Sequence, residues 1–178
     1  SSPESIVYTI EETRGKGVPQ KIFGSSPPGV LIRDDYPAYK KLDLPQQSCW
    51  SHLLRNSREK ADRENASEEM RDLHVTVKAL FGELSGMIQQ KMSAGKRKEI
   101  HQVYKEKIQI IIDTGYAARD AQEIQTRITN QNTNLITALL YPGVPLTNNE
   151  AERNIRKMVV TRKISGGSRS DNGAATHA

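Results

Sequence analysis

The segment Gly29-Val30-Leu31-Ile32-Arg33-Asp34-Asp35-Tyr36-Pro37-Ala38-Tyr39 sets two carboxylates directly behind a short apolar run. Val30-Leu31-Ile32, begun by Gly29 and preceded by Pro27-Pro28, reads as a short buried strand, so Asp34 stands at its exit. A second acidic segment, Thr147-Asn148-Asn149-Glu150-Ala151-Glu152-Arg153-Asn154-Ile155-Arg156, reads as a helix start. Thr147 followed three residues later by Glu150 is a capping box, and Pro145 stands just before it. Glu152 then lies on the first turn of a helix running to about Val160, beside an apolar stripe of Ala151, Ile155, Met158 and Val159.

Composition limits what can be built around these segments. A chain of 178 residues, 35% hydrophobic and 26% charged, buries one core but is polar enough to carry an elongated appendage. Its single cysteine excludes internal disulfides and a Cys-rich zinc cluster, in keeping with a reducing compartment. No apolar run approaches the roughly 20 residues of a membrane span, and the N-terminus lacks a signal peptide's layout, so no membrane partner is expected. The net charge is +5, and its distribution matters more than its size: Arg153, Arg156, Lys157, Arg162, Lys163 and Arg169 fall within residues 153–170, which hold no acid. Such a stretch is either a solvated helix face with a basic tail or a surface drawn to phosphates.

Along the chain the character changes twice. Residues 1–56 carry strand signals: Ile6-Val7-Tyr8-Thr9-Ile10, the run from Gly29 to Ile32, and a third short strand over Gln46–Trp50. Residues 57–140 read as helical. Met70, Leu73, Val77, Leu80, Leu84 and Met87 recur at alternating three-and-four spacing, Ser93-Ala94-Gly95 interrupts, and Ile100, Val103, Ile108 and Ile111 continue to a break at Asp113-Thr114-Gly115. A third stripe runs through Ala121, Ile124, Ile128, Leu135 and Leu139. Three such helices imply an antiparallel bundle or hairpin standing off a small α/β core, with the stripes as packing seams. Residues 141–178 bring back a core helix and end in the basic segment.

Three ordered motifs carry a family resemblance: Gly29 to Tyr39 with Asp34, Tyr36 and Tyr39; Cys49-Trp50-Ser51-His52-Leu53-Leu54-Arg55; and Thr147 to Arg156, followed by Arg162-Lys163. Together they resemble the catalytic domain of insertion-sequence transposases, most closely the insertion sequence sixty-six family. The resemblance covers residues 1–178, strongly at both ends and through helical character in the middle. It implies an α/β, ribonuclease-H-like core with an all-α helical insertion, a DDE-type transposase function, and Mg²⁺, with Mn²⁺ as a substitute. It further implies transposon-end and target DNA as partners, a homo-oligomer, and a cytoplasmic, nucleoid-associated prokaryotic setting.

Carried over residue by residue, the resemblance makes Asp34 the second and Glu152 the third carboxylate of a metal centre. Asp35 stands where the family more often has glycine, and the offset from Tyr36 and Tyr39 favours Asp34. Glu150 competes with Glu152 but has a capping role of its own. Arg153, Arg156, Lys157, Arg162 and Lys163 become contacts for DNA phosphates, and Asp35, His52, Cys49 and Asn149 become neighbours of the site. These residue types suit the chemistry. Attack of water or a 3′-hydroxyl on a phosphodiester is served by two Mg²⁺ ions about 3.5–4 Å apart, and Mg²⁺ takes hard carboxylate oxygens. Cys49 and His52 could supply half of a zinc site, but no second cysteine exists and the other histidines lack ligand spacing. The alternative for this segment is core packing of Cys49 and Trp50, with His52 capping the next element.

The fold's first metal-binding aspartate has no counterpart before Asp34, where Glu4, Glu11 and Glu12 are the only carboxylates. The expectation is therefore a fragment of a longer transposase, inactive or nearly so alone. A non-catalytic DNA-binding or accessory protein of the same fold, or a helical self-association module over residues 57–140, would read similarly.

Overall fold

The computed structural model describes residues 29–35 and 37–164, together with Gly17, Val18, Lys21 and Gly24. The expected strand at Ile6–Ile10, Tyr36 and Arg169 lie outside the described residues. Two compact units divide the chain, one of Pro28–Asp35 with Leu44–Asn148, the other holding, among the described residues, 37–43 and 149–164 with Gly17, Val18, Lys21 and Gly24.

The larger unit opens with strand β1 (Leu31–Arg33), paired in parallel with β2 (Gln46–Ser48), Leu31 opposite Gln46 and Arg33 opposite Ser48. Gly29 enters β1 at φ +107°, a backbone setting that costs glycine little and other residues much. Beyond the paired residues, the Leu31 amide donates to Pro45 O at 2.9 Å and the Cys49 amide to Arg33 O at 2.8 Å. β2 is polar in sequence, Gln-Gln-Ser, yet wholly buried. It is tolerated because Gln47 is satisfied from both ends of its amide: Nε2 donates to Leu135 O at 3.1 Å, and Oε1 accepts from the Ala138 amide at 2.8 Å.

Four helices follow: α1 (Trp50–Ala61), α2 (Glu68–Ile88), α3 (Ala94–Asp113) and α4 (Arg119–Gln131). The alternating stripe of α2 is buried as expected, at Met70, Leu73, Val77, Leu80 and Leu84. It meets Trp50 and Leu53 of α1, Tyr104, Ile108 and Ile111 of α3, and Ala121, Ile124 and Ile128 of α4 in one core. Trp50 stacks tilted on Phe81 at 5.7 Å, and Ser57 Oγ lies 2.9 Å from His74 Nδ1, so α1 and α2 run antiparallel. The breaks fall where the sequence placed them. Ser93 caps α3 by accepting the Lys96 amide at 3.3 Å, and Gln125 Nε2 closes the other end by donating to the carbonyls of Ile111, Ile112 and Thr114.

Three expectations are corrected. Helical structure starts at Trp50, not near residue 57, because β2 ends at Ser48 and Trp50 and Leu53 face the helical core. The third stripe is not one helix to Leu139. Asn132 takes φ +40° at the end of α4, and two short 3₁₀ turns follow, Asn132–Leu135 and Thr137–Leu139. Asn-Thr-Asn favours such local alternatives, and the Leu135 carbonyl and Ala138 amide, which a helix would use, are taken by Trp50 and Gln47. The last helix, α5 (Asn149–Ile164), begins two residues after Thr147, one residue later than a capping box at Thr147 would start it. The chain just ahead is engaged elsewhere: Leu146 O accepts from the Trp50 amide, and the Asn148 amide donates to Cys49 Sγ.

The smaller unit holds α5 and a 3₁₀ helix at Pro37–Lys41, begun by a proline whose fixed φ suits a first turn. Among its described residues Ala38 and Leu42 are buried.

Candidate metal and DNA site

In the larger unit, three pieces of chain come together at the exits of the two strands. Asp34 and Asp35 follow β1 directly and are half-buried. Cys49 follows β2, fully buried, with its amide on Arg33 O. Asn148 completes the set through its amide hydrogen bond to Cys49 Sγ at 3.3 Å. Parallel pairing is why both strands leave on the same side.

Both aspartates lie in the field of a buried arginine. Arg33 is buried to 2% exposure, its Nε donating to Gln46 Oε1 at 2.5 Å and its Nη1 to the Asp34 backbone carbonyl at 2.8 Å. Burial lowers the Arg33 pKa, and the negative charges of Asp35 and then Asp34 work against that, keeping the guanidinium charged. Asp35 Oδ2 also faces Arg127 Nη1 of α4 at 4.0 Å. Asp35 thereby lies beside two cations, Arg33 and Arg127.

Cys49 and Trp50 are core residues, at 2% and 1% exposure, and the Trp50 indole donates to Leu135 O at 2.7 Å. His52 is half-buried inside the first turn of α1, so it does not cap that helix.

In the smaller unit, Glu152 lies in the first turn of α5 and is half-buried, whereas Glu150 and Asn149 are exposed. Arg153 and Arg156 are exposed on the same helix, whose backbone also carries Lys157, Arg162 and Lys163. Sequence reasoning missed Arg33, Gln47, Arg127 and the Asn148 tether. A lone cation closing an apolar run was the available signal for Arg33; the others depend on contacts between residues far apart in the chain.

No helix among the described residues is long and apolar enough to cross a membrane. No curated protein and no solved structure matches the chain. Residues 1–176 match the family model described as Transposase IS66 family, and with the acidic strand exit, the Cys-Trp-Ser-His turn and the Glu152 helix in order along it, the chain belongs to that family of transposases.

Proposed function

We propose that Asp34 and Glu152 are metal ligands of a DDE-type centre that cleaves and joins DNA strands, built on a ribonuclease-H-like core. The observation that carries this reading is the Asn148 to Cys49 hydrogen bond. It fastens the residue immediately ahead of α5, four positions before Glu152, to the strand end whose amide is bonded to Arg33, the neighbour of Asp34. Ligand sites in parallel α/β sheets form where strands exit, and Asn148, the last residue before α5, is bonded at such an exit.

The donor set suits Mg²⁺, with Mn²⁺ as its substitute: both groups are half-buried carboxylates, one from a strand end and one from a helix start. When bound, such an ion activates water or a 3′-hydroxyl for attack and steadies the leaving oxygen. Asp34 and Glu152 hold the ion, and Asp35 stays with Arg127. Arg153, Arg156, Lys157, Arg162 and Lys163 position DNA phosphates without reading sequence. His52, in the first turn of α1 just past the end of β2, is a neighbour of this site. Pairing of two transposon ends entails an oligomer working on the nucleoid.

Strand transfer on transposon-end DNA, in the longest form of the enzyme that is active, tests the assignment. Asp34→Asn and Glu152→Gln each bring transfer to background while DNA binding persists. Transfer retained in either variant overturns it.

A further inference from the structure

We infer that the crevice between α1 and α2 is a second, sequence-independent contact for the backbone of duplex DNA, in addition to the basic residues of α5. Its rim carries Arg55, Arg58 and Lys78, all exposed, against one carboxylate, Asp62. Its floor is apolar, formed by the half-buried Leu54 and Phe81.

Three features favour a polyanion there. Among the described residues neither Arg55 nor Lys78 is engaged in an ion pair. Arg58 is paired with Asp62 at 3.2 Å, but the two side chains are 73% and 64% exposed, so water screens the pair and a phosphate can replace the carboxylate at little cost. His74, at the edge of the crevice, has its pKa lowered mainly by burial, with Asp62 opposing and Lys78 and Arg58 adding to the lowering. The rim's charge therefore comes from the three long side chains. The walls are held in place beneath them by the Ser57 to His74 hydrogen bond and the Trp50 to Phe81 ring contact. A preformed groove with exposed cations at its lip suits phosphates, which bind through charge rather than base edges.

The identity of the polyanion as DNA rests on the transposase reading; the crevice itself does not involve the carboxylates. The test measures binding of the whole chain to a fluorescein-labelled random-sequence duplex between 50 and 200 mM salt. R55A/K78A is expected to lower the slope of log affinity against log salt by about 2, near 0.9 per lost phosphate contact, and to weaken binding about tenfold or more at low salt. The charge-keeping pair R55K/K78R is expected to match the unmodified chain, and thermal melts confirm that both fold. An unchanged slope in folded R55A/K78A, with a reduced slope in R153A/R156A, overturns the crevice and leaves α5 as the DNA contact. Loss of strand transfer in D34N with the slope intact bears on the carboxylates alone.

Discussion

Gln47 and Leu135 lie 88 residues apart in sequence and are joined by a buried hydrogen bond from Gln47 Nε2 to the Leu135 carbonyl. The same carbonyl accepts the Trp50 indole at 2.7 Å, and Gln47 returns its own oxygen to the Ala138 amide. One side chain from the short sheet thus replaces the hydrogen bonds that the 3₁₀ turns give up by not being a helix. The strand exits are held against the helical core by polar contacts as well as by packing.

Gln47→Leu keeps much of the volume but leaves the Ala138 amide buried without its acceptor. A lost partner of this kind costs about 1–3 kcal/mol. Urea unfolding is expected to show a loss in that range, with the unfolding slope unchanged. A variant as stable as the unmodified chain would mean that the amide finds another acceptor.

Asp120 supplies a second test of the helical core. Its carboxylate accepts from the Ser67 amide at 3.0 Å and the Ser67 hydroxyl at 2.7 Å, while Ser67 Oγ accepts the Met70 amide as the cap of α2. Glu69 returns the favour across the pair of helices, accepting from the amides of Ala117 and Ala118 ahead of α4. The Ser67 backbone hydrogen bond is the main cause holding the Asp120 pKa below its ordinary 3.8. A depressed carboxylate pKa contributes stability above the unfolded value and loses it as pH falls through the folded one. Asp120→Asn is therefore expected to cost about 1 kcal/mol at pH 7, the usual scale of a helix cap. That difference should close as the pH falls below 3.8, and unfolding curves at pH 7 and in acid would show whether it does.

Leu84 and Val75 share α2 but not its environment, at 0% and 65% exposure. Leu84→Ala should cost about 2–5 kcal/mol through lost burial and the cavity left behind. Val75→Ala should stay within about 0.5 kcal/mol. Similar losses from both, by thermal or urea unfolding, would contradict the placement of the core.

Much of this fold was legible because its helices announce themselves by spacing. Met70 to Leu84 gave the buried face of α2, and Ser93 and Asp113 marked the break points of α3. β1 was legible from its apolar run, and the first-turn position of Glu152 followed from the acidic segment. What escaped had no local signature. Trp50 opens a helix although it lies in a segment read as strand, because the core on the far side of the chain demands its ring. Gln47 looks like a surface residue until Leu135 and Ala138 are beside it. The offset from Tyr36 and Tyr39 favours Asp34 over Asp35, whereas the contact of Asp35 with Arg127, from a distant helix, had no local signal.

That distinction has its own consequence. Asp35→Asn removes a partly exposed ion pair and is expected to cost at most about 1 kcal/mol, leaving DNA cleavage in place. Asp34→Asn is expected to leave the fold intact and end cleavage. Nicking assays run beside melting curves would separate the two, and the reverse pattern would assign the metal to Asp35.

The most direct measurement is an anomalous difference map from crystals soaked in Mn²⁺. One peak with oxygens of both Asp34 and Glu152 at about 2.0–2.3 Å is the expected result, and it should vanish in Asp34→Asn crystals. Carboxylates that share no peak, in crystals where Mn²⁺ binds elsewhere or not at all, would contradict the two-carboxylate centre.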